Sequence, residues 1–137
     1  MVDVIRYLVI KALANKFQQV VILKEYFVDG FSPSDLSARY CIRKDVIRGY
    51  ITRIHEQIKN KLVIKPLLEN VYPLLEKISP VIENVCRCKL CGEVMHCNVV
   101  EYHIRYHHRD VVDEYVDSIV EILKKRINEV KGVGGSQ

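Results

Sequence analysis

No stretch of the 137-residue chain approaches the ~20 consecutive apolar residues that a membrane-spanning helix requires, so no membrane partner is expected. Glycine is scarce, six residues in all, and scattered. Neither a phosphate-cradling glycine loop nor a dinucleotide fingerprint can be assembled from so few. Charge of one sign is also in short supply: the net charge of +4 does not by itself argue for a polyanionic partner. The first sixteen residues set Asp3, Arg6 and Lys11 among apolar neighbours, so they read as an amphipathic helix and not as a secretion signal. What is present is a 49% hydrophobic share, which excludes a wholly disordered chain. The length suits one compact domain, or two very small ones sharing a core, and is short for most enzymes. A soluble cytoplasmic protein is the expectation.

Charge is distributed unevenly. Residues 31–65 carry eight Lys/Arg against three Asp/Glu, and residues 86–109 carry four against two. Segments 66–85 and 110–137 each come to −2. Positive charge therefore gathers where the two chemical motifs lie, as phosphate binding requires, although a merely solvated basic face has the same composition.

Helical periodicity runs through almost the whole chain, and an all-α fold is expected. Residues 3–14 and 16–28 place apolar side chains three and four apart, and Asp29-Gly30 supplies a stop. Residues 65–85 hold a seven-residue repeat: Lys65 to Val71, Tyr72 to Ile78 and Ser79 to Val85, each with proline second and Glu fifth. Its apolar set, Leu67/Leu68, Val71, Leu74/Leu75, Ile78, Val81/Ile82 and Val85, has the spacing of a helical seam. A kinked connecting helix packed on the core is predicted, with a homodimer seam as the second reading. Val112, Tyr115/Val116, Ile119, Leu123, Ile127 and Val130 mark a long C-terminal helix. The chain thus divides into 1–62, N-terminal helices and the first motif; 63–85, the proline-marked helix; 86–109, the second motif; 110–131, the C-terminal helix; and 132–137, a flexible tail.

The first motif spans residues 32–58. Ser32 suits an N-cap, Pro33 a first helical position, and Asp35 the return bond of a capping box. Leu36 and Tyr40 face inward, Cys41-Ile42 forms a turn, and a second helix buries Ile47, Tyr50/Ile51, Ile54 and Ile58. Such a pair of helices can lay its second member in a major groove. The segment resembles the promoter-reading helix-turn-helix of bacterial sigma factors and LuxR-type regulators. Asp35-Leu36-Ser37 matches the acidic–Ile–Ala entry, Ile42 the apolar turn residue, Ile47 the buried Val, and Thr52-Arg53-Ile54 the small–Arg–apolar continuation. Ser37 and Cys41 depart from the usual Ala and Gly. Phe17 to Phe27 would supply the first helix of the three. The resemblance implies that Arg43, Lys44, Arg48, Thr52 and Arg53 meet DNA. Gly49, costly inside a helix by ~1 kcal/mol relative to Ala, fits close approach to DNA or a tolerated defect.

The second motif lies within residues 86–108. Cys88 and Cys91 form a thiolate knuckle relieved by Gly92, and His103 and His107 lie four apart on one helical face. Four sulfur and nitrogen donors suit tetrahedral zinc. Cys86 is the alternate for Cys88, and His108 for His107. The segment resembles a two-Cys two-His zinc finger with a short β-hairpin, Met95 and Val99 or Val100 standing for its core Phe and Leu. An odd number of cysteines, five, in a cytoplasmic chain argues against disulfides. The finger positions that usually face bases hold His96, Asn98, Val99 and Tyr102. Asn98 is a weaker DNA contact, as are Arg105 and Arg109; otherwise the finger braces the C-terminal helix.

No enzyme is expected, since four protein ligands close a zinc site to catalysis and leave Glu101 without a reacting water to activate. The reading is a double-stranded DNA-binding transcription regulator with structural zinc. Composition and motif pairing resemble small regulators of hyperthermophilic archaea and their viruses, which would place a viral copy in host cytoplasm. Two alternatives stand: a protein-interaction factor docking on RNA polymerase or another transcription protein, and an oligomer-forming assembly protein.

Overall fold

The computed structural model describes the backbone of residues 2–58 and 60–135, and their side chains apart from those of 61 and 127–135. The chain is all-α: α1 (Val2–Leu13), α2 (Phe17–Phe27), α3 (Pro33–Tyr40), α4 (Lys44–Gln57), α5 (Lys61–Leu75), α6 (Val100–His107) and α7 (Arg109–Gly135), with a short 3-10 turn at Cys97–Val99 before α6. Among the described residues no strand forms. The expected hairpin is reduced to two isolated antiparallel bridges, Ile82 to Cys88 and Arg87 to Val94.

Helix α1 is the hub. Its sequence reads as amphipathic, yet Val4, Ile5, Leu8, Val9, Ile10, Ala12 and Leu13 are all buried, because α2, α4, α5, α6 and α7 all pack on it. A helix apolar on most sides belongs at the centre of a small core. It ends in a Schellman arrangement: Asn15 takes the left-handed conformation (φ 62°), Lys16 N–H donates to Lys11 O and Asn15 N–H to Ala12 O. Helix α2 ends at Phe27, just ahead of the expected stop, where Gly30 takes the left-handed conformation (φ 84°) and Phe31 N–H donates to Glu25 O.

In α5, Pro66 and Pro73 both lie on the exposed side while Ile64, Leu67, Leu68, Val71 and Leu75 face the core. The hydrogen bonds that the prolines remove are thus on the side where water can replace them. The third repeat unit does not continue the helix. Helix α5 ends at Leu75, and beyond Pro80 the chain is held by Val81 N–H donating to Leu13 O, and Lys89 N–H to Val81 O. These tertiary bonds outweigh the local period, while Ile78 and Ile82 stay buried in the extended segment. Helix α7 buries Val112, Val116, Ile119 and Leu123 and continues through residues 132–135, further than the glycines suggest. The side chains of Ile127 and Val130, and Ser136 and Gln137 of the expected tail, lie outside the described residues.

One buried cation ties the two halves of the chain together. The Lys11 ammonium, 3% exposed, sits 2.8 Å from Glu101 Oε1 on α6, and Lys16 Nζ lies 2.6 Å from Glu101 Oε2. Burial lowers the Lys11 pKa, with Glu101 acting against that. Burial raises the Glu101 pKa, but the two ammonium groups outweigh it and leave the carboxyl below its ordinary 4.5. A lowered carboxyl pKa contributes stability that is complete above 4.5 and lost as pH falls through the folded value. Thermal melts are therefore expected to weaken below that point, and Glu101→Gln to remove this component of the acid sensitivity. At neutral pH the same variant, which leaves Lys11 buried without its counter-charge, is expected to cost about 2 kcal/mol.

Candidate metal centre and basic helix face

The knuckle is made locally. Gly92 N–H donates to Cys88 O at 2.7 Å and Cys88 N–H to Glu93 O at 2.9 Å, and Gly92 takes a φ of +77° that only glycine adopts cheaply. This turn presents Cys88, fully buried, and Cys91, exposed, on one side. Helix α6 brings His103, buried, against them. It then ends at His107. His108 leaves helical geometry (φ −123°, ψ 37°) and swings its ring back over the knuckle.

Four donor atoms converge: Cys88 Sγ to His108 Nε2 3.3 Å, Cys91 Sγ to His103 Nε2 3.4 Å, and His108 Nε2 to His103 Nε2 3.2 Å. All four lie within 4.8 Å of one another, close enough to hold a metal ion. Three of the four expected ligands, Cys88, Cys91 and His103, thus come together with the alternate, His108. His107 does not join them. Its exposed ring stacks on His103 with centroids 4.9 Å apart. The spacing of four would suit an unbroken helix; the break at His108 makes the spacing of five the convergent one.

Cys86, the alternate sulfur, is corrected by the structure: it is bonded to Cys97 in a disulfide. The expectation that no disulfide forms falls with it. Cys86 takes a left-handed conformation (φ 58°), its N–H donates to Glu83 O, and its carbonyl accepts from Met95 N–H. Those bonds bring its Cα within 5.3 Å of that of Cys97, in the usual range for a disulfide.

Glu93 was not among the expected site residues. Its carboxylate lies 3.5 Å from His103 Nδ1, the nitrogen that faces away from the cluster. A carboxylate on that side favours the tautomer that leaves Nε2 free to face the cluster. The one signal in the sequence was an acidic residue directly after the knuckle glycine. Burial holds the His103 pKa below its ordinary value; His108 acts in the same direction, Glu93 against it, and His107 again lowers it. Burial and the neighbouring imidazoles thus favour the neutral ring, the form that binds a metal. Glu101 is engaged by its two lysines and lies apart from the cluster.

The basic helix is positioned by α2 and α3. Ser32 and Asp35 make the capping box in full, with both bonds at 3.1 Å, and this lowers the Asp35 pKa. Glu25 of α2, 9% exposed, accepts from Arg39 at 2.8 Å and from the Tyr40 hydroxyl, clamping the end of α3. Arg39 also lies over the Phe31 ring. Cys41 occupies the turn in the left-handed region (φ 55°), where a glycine would be unstrained, and Ser37 Oγ donates to Ile42 O at 2.6 Å.

Helix α4 then buries Ile47, Ile51 and Ile54, while Lys44, Arg48, Thr52 and Arg53 are exposed. Among the described residues Lys44, Arg48 and Arg53 form no ion pair, whereas Arg43 lies 3.3 Å from its neighbour Asp45. Thr52 Oγ1 donates to Arg48 O of its own helix. Arg53 leans towards Tyr7 of α1, whose buried hydroxyl has no hydrogen-bond partner of good geometry. Burial raises the Tyr7 pKa and the Arg53 guanidinium opposes it. A methyl group built on Gly49 meets nothing within 4 Å, so packing within the chain does not require glycine there. Asn98, Arg105 and Arg109 are all exposed. No described helix is long and apolar enough to cross a membrane.

Compared with known proteins, the chain matches no family model, no curated sequence and no solved structure.

Proposed function

We propose that this protein binds double-stranded DNA as a small regulator, with α3 and α4 acting as a helix-turn-helix and zinc fixing the 88–108 segment. The observation that carries the reading is the division of α4: isoleucines inward, and outward a set of cations, Lys44, Arg48 and Arg53, that the described part of the molecule does not neutralise. Solvated cations on one rigid helix face are available to phosphate oxygens and guanine edges. Zinc is supported by geometry. Tetrahedral bonds of ~2.3 Å to sulfur and ~2.0 Å to nitrogen set sulfur about 3.5 Å from nitrogen and two nitrogens about 3.3 Å apart. The observed 3.3, 3.4 and 3.2 Å fall close to those values. Two thiolates and two neutral imidazoles leave no open position, so the ion's role is structural.

The direct test is selection from random duplexes followed by affinity measurement across salt. Affinity that falls steeply with salt supports the reading; no duplex binding at low salt would transfer it to a protein partner, for which the exposed Val85, Leu90 and Val94 offer an apolar surface. Gly49 gives a second measurement. Gly49→Ala is expected to stabilise the fold by about 1 kcal/mol, since helix propensity improves and nothing is displaced. If α4 lies close to DNA, the same change weakens duplex binding severalfold. A variant that is both more stable and an equally good binder would assign Gly49 to tolerated defect.

A further inference from the structure

Three guanidinium groups from three helices meet in one cleft on α1, α6 and α7. The cleft is lined by Arg6, Arg105, Tyr106, Arg109 and Val112, and no carboxylate lines it. Nearby acids engage only part of this charge. Arg6 lies 3.2 Å from Asp113 and 3.8 Å from Asp3, and Arg109 3.8 Å from Asp113. Arg105 has no ion pair among the described residues. Arg109 and Val112 belong to the first turn of α7, so the positive end of that helix dipole also borders the cleft. Tyr106 is 62% exposed and packs on Tyr102 with ring centroids 4.5 Å apart and planes tilted by 45°, offering an aromatic surface beside the cations.

We infer that this cleft binds a phosphate group carried by a nucleotide unit, the phosphate held by Arg6, Arg105 and Arg109 and the base or sugar resting on Tyr106. Asp113 offsets part of the charge of Arg6 and Arg109, and no acid pairs with Arg105 among the described residues, so the cluster keeps a net positive charge, and its planar donors match phosphate oxygens. An aromatic ring at the margin adds stacking that is indifferent to base identity. The elbow between Tyr106 and Arg109 contains His108, so the convergence of donors that positions His108 also sets the spacing of α6 and α7 across the cleft. The inference goes beyond the α4 reading and does not depend on it. The phosphate could belong to a free nucleotide or to a DNA backbone.

The test is a titration of the full zinc-loaded chain with inorganic phosphate, then thymidine 5′-monophosphate, then a short duplex, followed by amide chemical shifts. Shifts at residues 105–112 with millimolar phosphate are expected. Arg105→Ala/Arg109→Ala, both exposed positions, should weaken that response at least tenfold with zinc content and helicity intact. Arg48→Ala/Arg53→Ala should leave it unchanged. Tighter binding of thymidine 5′-monophosphate than of phosphate supports a free nucleotide. A duplex that shifts the same amides, with a log affinity–log salt slope reduced by about 2 in the Arg105/Arg109 variant, supports a DNA backbone. No shift at 105–112 with any probe, or an undiminished response in the Arg105/Arg109 variant, overturns the site.

Discussion

Cys91→Ser is expected to abolish metal binding at the cluster and, with it, the order between residues 86 and 108 that the Cys86–Cys97 bond does not hold by itself. The effect should be among the largest of any single substitution in the chain, about 4 kcal/mol or more, because metal loss belongs to the few mechanisms that reach that size. Cys91 is exposed, so its removal opens no cavity, and the destabilisation will report the metal and not lost packing. Binding energy at such a site is folding energy, since the unfolded chain has no preformed cluster. Metal analysis should fall from one zinc per chain to none, and the unfolding midpoint should fall with it. Histidine variants sharpen the test. His108→Ala should lose the metal as Cys91→Ser does, while His107→Ala should retain it. A chain that keeps its zinc without Cys91 would refute the ligand set, and zinc lost with His107 but kept without His108 would restore the spacing of four.

If α4 is the DNA-binding face, Arg48→Ala combined with Arg53→Ala is expected to reduce duplex affinity a hundredfold or more, on the order of 3 kcal/mol, because each would remove a charge-assisted contact on an otherwise rigid face. The salt slope should fall by about 2 if both arginines meet phosphates. An affinity loss that varies with base sequence, at a nearly constant slope, would instead identify them as readers of base edges. Stability should stay within about 0.5 kcal/mol of the parent, as expected for exposed positions. Arg53 is the more demanding of the two, because it leans against the Tyr7 hydroxyl. Arg53→Lys keeps the charge and shortens that reach, so charge and positioning can be separated. Unaltered duplex binding by the double variant would remove α4 as the contact surface.

Much of the helical order was legible because it is local. Ser32, Pro33 and Asp35 announce the start of α3 by chemistry contained within four residues. Ile47, Ile51 and Ile54 announce the inner face of α4 by spacing alone, and Gly30 marks the turn that follows α2. What was not legible depends on partners distant in sequence. The third proline unit matches its neighbours in pattern, yet Leu13 captures the Val81 amide and the helix never reaches it. His107 has the better helical spacing, and only the break after α6 gives the fourth place in the cluster to His108. Cys86 and Cys97 carry no spacing that separates them from free thiols; their pairing follows from the turn at Glu83 and the bridge to Val94. Lys11 reads as a surface lysine of an amphipathic helix until α6 places Glu101 against it.

The bond between Cys86 and Cys97 encloses both sulfur donors in one covalent ring, eleven positions from end to end. A ring of that size restricts how far Cys88 and Cys91 can stray when the ion departs. Escape and recapture of an ion at this cluster would therefore be a local exchange, with the two thiols still tethered near His103, and not a search by an open chain. In a reducing medium that tether is cut while the four donors remain, so an ion placed there would be bound less tightly and surrendered sooner to a competing chelator.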